Sequence, residues 1–158
     1  MLTNLITDRT LADYLRWKEL CDKGWAKMTA AERSEWETGM KGAYKAADLN
    51  RVGGVLNYLR DRLTDAGYLG GNEFDMPVNL DNTHRPTKES FTSYLSAVET
   101  VRAAISPKET TPPTPADTGS LDFQGANDIE KILLDIDELI TKMLSILYFC
   151  GELYSGEI

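Results

Sequence analysis

Apolar positions recur along this chain at spacings of three and four residues, and no strand signal of comparable strength appears. The clearest run lies near the C-terminus, where Ile129, Ile132, Ile136, Leu139, Met143 and Ile146 are separated by three, four, three, four and three positions. That is a heptad seam on a single helix. Leu133, Ile140 and Leu147 add a second row, which widens the stripe beyond what a two-stranded coil buries. Such a helix must cover itself against several others, from its own chain or from further copies.

The same periodicity predicts four earlier helices. Thr10 followed by Asp13 opens a segment with Leu11, Tyr14, Leu15 and Leu20 to one side, closing at Lys23-Gly24, so residues 10–23 are expected to be helical. Thr29 with Glu32 is a capping box for a short helix over 30–38, ended by Gly39. Leu49, Val52, Leu56, Leu59 and Leu63 predict a helix over 44–66, closed by Gly67. Gly53 and Gly54 sit inside it at up to ~1 kcal/mol each relative to Ala, so either another helix approaches closely there or the helix breaks. Residues 68–86, with Gly70, Gly71, Pro77, Asn79, Asn82 and Pro86, read as a loop that wraps the bundle. Thr87 caps a helix over 87–105 whose Phe91, Tyr94, Leu95, Val98, Val101 and Ile105 form one stripe before Pro107.

The composition changes after that helix. Ser106 to Thr118 holds four of the six prolines, which favours an extended, semi-rigid spacer over a packed element. Asn127 with Glu130 reads as the N-terminal signal of the last helix, and Gly151 as its end. The expectation is therefore an all-α chain: a helical domain at 1–105, a Pro/Thr-rich spacer at 106–126, and a C-terminal amphipathic helix with a short tail at 127–158.

Totals narrow the function. A chain of 158 residues, 42% hydrophobic, can bury one core. A formal charge of -8 argues against a nucleic-acid or anionic-membrane surface, because either needs clustered Lys and Arg. No stretch reaches the ~18 apolar residues of a membrane span, and Met1 to Arg9 lacks the pattern of a signal peptide, so synthesis in a cytoplasm is expected. Cys21 and Cys150 form no CxxC pair, and two buried free thiols are expected ahead of a disulfide.

Candidates for chemistry are few. His84 is the only histidine and lies in the Pro- and Asn-rich loop, where a surface role is expected. Asp135 and Asp137 point roughly 200° apart on a helix, so they cannot share a proton or a metal. With Glu130 and Glu138 they are expected to solvate the outer face of the last helix. Asp75, Asn79 and Asp81 lack the ligand register and fixed glycine of an EF-hand loop. There is no P-loop, no GxGxxG and no GxSxG, so no catalytic, cofactor-binding or metal-binding residue is assigned and an enzyme is not expected. Trp25, Trp36 and Tyr44 could form a sugar-stacking platform, although core packing between short helices is the simpler role. Ile129, Ile132, Ile136, Leu139, Met143 and Ile146 are left as the candidate interface, either between copies or within the chain.

Several stretches together carry a resemblance: Ile6-Thr-Asp-Arg-Thr10, Lys23-Gly-Trp25, Glu35-Trp36, Lys41-Gly-Ala-Tyr44, Ala47-Asp-Leu-Asn-Arg-Val52, Tyr58-Leu59, Ala126-Asn-Asp-Ile-Glu-Lys-Ile132 and Tyr154-Ser-Gly-Glu157. The chain resembles small minor structural or tail-associated proteins of phages and prophages of Gram-positive bacteria. Val52-Gly-Gly-Val55 departs from the more ordinary helical run expected there. The resemblance implies a place in a virion, made in the host cytoplasm, with no catalytic residues and no cofactor. Partners would be other virion proteins and further copies of the chain; isoleucine at consecutive seam positions makes a trimer the natural strand number. A cell-wall binding module and a cytoplasmic adaptor or assembly factor are the rival expectations.

Overall fold

A computed structural model describes residues 2, 4–71, 73–81, 87–116 and 121–152, with side chains as far as residue 146. Among these residues the chain is all helical: α1 (Leu11–Lys23), α2 (Ala30–Thr38), α3 (Ala46–Asp65), α4 (Lys88–Ala104) and α5 (Phe123–Glu152), with a short 3-10 turn at Trp25–Lys27 and no strand. The starts follow the local chemistry. Thr10 and Thr29 each accept a hydrogen bond from the backbone N–H three residues on, and the Asp13 and Glu32 carboxylates accept one from the backbone N–H of the capping residue. Thr87 accepts from the Ser90 N–H at the head of α4. Gly24 and Gly39, with φ of 74° and 97°, turn the chain out of α1 and α2 through a region open to glycine.

The main core lies where α3, α4 and α5 pack on one another. Val52, Leu56, Leu59 and Leu63 of α3 meet Tyr94, Leu95, Ala97, Val98 and Val101 of α4, and Ile129, Ile132, Leu133, Ile136 and Ile140 of α5. Each fully buried aliphatic side chain contributes about 1.5–3 kcal/mol from apolar area removed from water. A second, smaller core joins α1 to α2: Leu20, Met28 and Met40, flanked by Trp17 and Trp36. Polar links reinforce it, since Arg16 grips Glu35 through two nitrogens and Lys23 pairs with Glu32 at 2.6 Å. The chain after α2 is held tightly against α1, because a Cβ on Gly42 would stand 2.1 Å from the Asp13 carbonyl oxygen.

Three expectations change. α5 begins at Phe123, where Asp122 accepts from the Gly125 N–H at 2.7 Å, so Asn127 and Glu130 are interior helix residues and not its cap. The proline-rich residues 107–116 form no helix and are docked, with a turn closed by the Thr111 N–H on the Lys108 carbonyl at 2.9 Å. Thr111 is buried and donates to Asp135 at 2.9 Å, Pro112 offers its carbonyl to Arg102 at 2.9 Å, and Lys108 pairs with Glu138. α3 runs unbroken through Gly53 and Gly54, and what comes close is a chain segment: a Cβ on Gly53 would lie 2.8 Å from the Pro77 carbonyl oxygen.

Candidate functional site

The candidate interface divides along α5. Ile129, Ile132 and Ile136 are fully buried in the core against α3 and α4, while Leu139 and Met143 are half-buried at its edge. Ile146 is 61% exposed and its neighbour Leu144 is 39% exposed. The structure therefore brings the first five of the six residues to one packed face and leaves the last outside it. The reason is length: α5 has 30 residues, about 45 Å, against 20 and 17 for α3 and α4, about 30 and 25 Å. From Thr141 onward no residue of α5 with a described side chain is buried.

This distal end is unusual in composition. Met143 to Gly151 reads Met-Leu-Ser-Ile-Leu-Tyr-Phe-Cys-Gly, without a charged residue. Leu144 and Ile146, two positions apart, point about 200° from each other, so apolar surface lies on both sides of the helix. A helix end with large apolar side chains exposed on opposite sides is suited to enclosure. Leu147 of the second row, and Cys150, lie outside the described side chains.

The acidic residues of α5 require a correction. Glu138 is exposed, but Glu130, Asp135 and Asp137 are buried at 0%, 2% and 5%, so they do not form a solvated outer face. The N-terminal segment and the proline-rich strap cover those sides of the helix and bring cations with them. Glu130 Oε1 accepts from Arg9 at 2.6 Å and from Arg51 at 2.9 Å, and its other oxygen accepts the Ile6 N–H. Asp48 Oδ1 accepts from the same two arginines at 3.2 and 2.6 Å, which balances two positive charges with two negative ones. Asn127 completes the clamp, taking the Arg9 N–H at 3.0 Å and returning its amide to the Arg9 carbonyl at 2.8 Å. Asp135 is paired with Lys131 at 2.6 Å, and Asp137 with Arg62.

Beside this cluster the Tyr44 and Tyr94 hydroxyls share a hydrogen bond of 2.5 Å, and the Arg9 guanidinium lies 5.5 Å from the Tyr44 ring centre. Burial pushes both phenols well above their usual value, so both stay protonated. The group is charge-balanced, with Arg9 and Glu130 enclosed and Arg51 and Asp48 reaching the wall of an open pocket beside it. Its chemistry is to fasten residues 6–10 to α3 and α5.

The aromatic trio is dispersed. Tyr44 is engaged in that cluster, Trp36 packs on the small core, and Trp25 is 47% exposed beneath Arg33 at 5.3 Å. They form no shared stacking platform. Cys21 is a free thiol but exposed on α1, which corrects the expectation of burial. His84 lies outside the described residues. Asp75 pairs with Arg60 at 3.2 Å, and among the described residues no group of His, Cys, Asp or Glu is placed to hold a metal.

Sequence reasoning did not single out Arg9, Asp48, Asn50 or Asn57. A usable signal was present for the last two: two asparagines bracket Gly53 at a spacing that puts all three on one face of α3. Comparison of the chain with protein-family models, curated proteins and solved structures found no match.

Proposed function

We propose that this protein is a non-enzymatic structural component of a phage or prophage particle, in the tail or baseplate, that works by protein-protein assembly through the distal end of α5. The observation that carries the reading is the overhanging, uncharged helix end with Leu144 and Ile146 exposed on opposite sides. Single exposed leucines are ordinary on a protein surface; an apolar end bare on both sides is not. Such a shape favours enclosure by several like helices over pairing with one. A trimer of chains, each contributing α5 beyond Leu139, is the smallest arrangement that satisfies it. The resemblance of the sequence to phage structural proteins is the ground for the particle context, and the buried Arg9–Glu130 cluster supports a rigid body from which the helix projects.

The test is quantitative mass spectrometry of purified particles from the source phage or induced prophage, with infected-cell lysate as control. A fixed ratio to the major tail proteins is expected. Abundance in lysate with absence from particles would remove the virion role and leave an adaptor or assembly factor.

A further inference from the structure

A second surface is assembled by α3 and does not depend on α5. Residues 74–80 lie extended across α3, and two asparagine side chains hold them by main-chain atoms alone. Asn57 donates its amide to the Met76 carbonyl at 2.9 Å and accepts the Met76 N–H at 2.8 Å. Asn50, two helical turns earlier, does the same with Leu80 at 2.7 and 2.8 Å. Each side-chain amide thus stands in for the edge of a neighbouring strand. Gly53 lies between them, and its missing Cβ leaves room for the Pro77 carbonyl. At the N-terminal end of the segment, Arg60 donates to the Phe74 carbonyl and covers its ring at 5.8 Å.

Phe74 and Met76 pack against the edge of the main core, and two features set the segment apart from the helices around it. Among the described residues, no backbone-to-backbone hydrogen bond joins 74–80 to any other part of the chain. Its packing is also incomplete: a cavity of about 330 Å³ remains between Met76, Pro77 and Leu80 of the segment and Leu49, Phe91 and Tyr94 of the helices. That volume is in the range of sites that take a small ligand or a peptide side chain. Asp75, Pro77, Val78 and Asn79 face solvent.

We propose that the Asn50–Gly53–Asn57 face of α3 is a binding site for an extended peptide, held in the isolated chain by its own residues 74–80 and filled by the same segment of a second copy when chains are crowded together. The clasp reads backbone, so an identical segment from another chain makes identical bonds, and the exchange is close to neutral in energy. In dilute solution the chain's own segment wins, because its tether gives an effective concentration on the order of millimolar. Copies packed side by side reach the same local concentration, and the segment then links neighbours.

Cross-linking between differently labelled chains reads this directly. A Cβ on Gly54 would stand 3.9 Å from the Val78 side chain, so cysteines at these two places meet only when the segment is seated. In a background with Cys21 and Cys150 changed to serine, chains carrying Gly54→Cys are mixed with isotope-labelled chains carrying Val78→Cys, under oxidised glutathione. A mixed disulfide-linked dimer is expected, rising at least tenfold between micromolar and millimolar protein and lost when Asn50→Ala and Asn57→Ala are added. No mixed dimer at millimolar concentration overturns the proposal, as does one insensitive to the asparagines. A separate measurement covers misfolding of the cysteine variants: a labelled Glu73–Asp81 peptide titrated into the Met76→Gly/Leu80→Gly chain should bind saturably, and at least tenfold more tightly than when Asn57→Ala is also present. A flat titration on a chain with full helicity counts against the site. Neither result bears on the role of α5.

Discussion

The two halves of α5 carry the same apolar rhythm and meet opposite surroundings. From Gly125 to Ile140 the helix is enclosed on nearly every side: aliphatic residues against α3 and α4, Glu130 and Asn127 beneath the N-terminal segment, Asp135 beneath the proline-rich strap. Beyond Thr141 the pattern continues while the neighbours stop, and Ile146 is left 61% exposed. Periodicity reports that a helix has an apolar face; only the lengths of its partners decide what covers it. The difference locates the free surface at the end of the helix and assigns the middle to the fold.

The largest effect that would break this contrast lies in the enclosed half. Glu130→Ala leaves the buried Arg9 and the half-buried Arg51 with Asp48 as their only carboxylate, and should cost about 3–5 kcal/mol in urea unfolding. Ile136→Ala should cost about 2–5 kcal/mol by opening a cavity in the core, while the same truncation at Ile146 should change monomer stability by less than about 0.5 kcal/mol. Equal losses at the two positions would show that the distal half is packed within its own chain. Gly53→Val forces a side chain into the Pro77 carbonyl and should cost about 1–3 kcal/mol, with faster proteolysis between residues 74 and 80 as the direct readout.

The smallest effect is electrostatic. Lys108 and Lys142 hold the Glu138 carboxyl down at about 2, and Lys23 with the Thr29 N–H holds Glu32 at about 2. Because both values are depressed on folding, their stabilisation is present above the ordinary glutamate value near 4.5 and is lost as pH falls from there through 2. Glu138→Gln should lower thermal stability slightly at pH 7, make no difference near pH 2, and so flatten the pH dependence across that window. The effect is minor because half of the Glu138 side chain is in water.

Much of the fold was legible because its signals are local. Thr29, Glu32 and Gly39 bound α2 at Ala30–Thr38, and the stripe from Val52 to Leu63 identifies the buried face of α3. Asn127 and Glu130 misled for a physical reason: an acid three residues after an asparagine is the pattern of a capping box and equally the pattern of two polar side chains on one helix face. Their partner Arg9 stands 118 and 121 residues away, and no local rule connects them. The strap was missed similarly, since proline content predicts a spacer in place of a packed element and says nothing about Thr111 finding Asp135. Long-range polar pairs are where local reading stops.

The central claim is that the distal end of α5 drives association while the rest of the helix serves the fold. Sedimentation velocity of the full chain over a range of micromolar concentrations, beside a Leu144→Asp/Ile146→Asp variant, tests it most directly. The account predicts a self-associating wild type, with three copies as the expected species, and a monomeric variant of unchanged helicity and melting temperature. A wild type that stays monomeric throughout, or a variant that associates equally well, would contradict it.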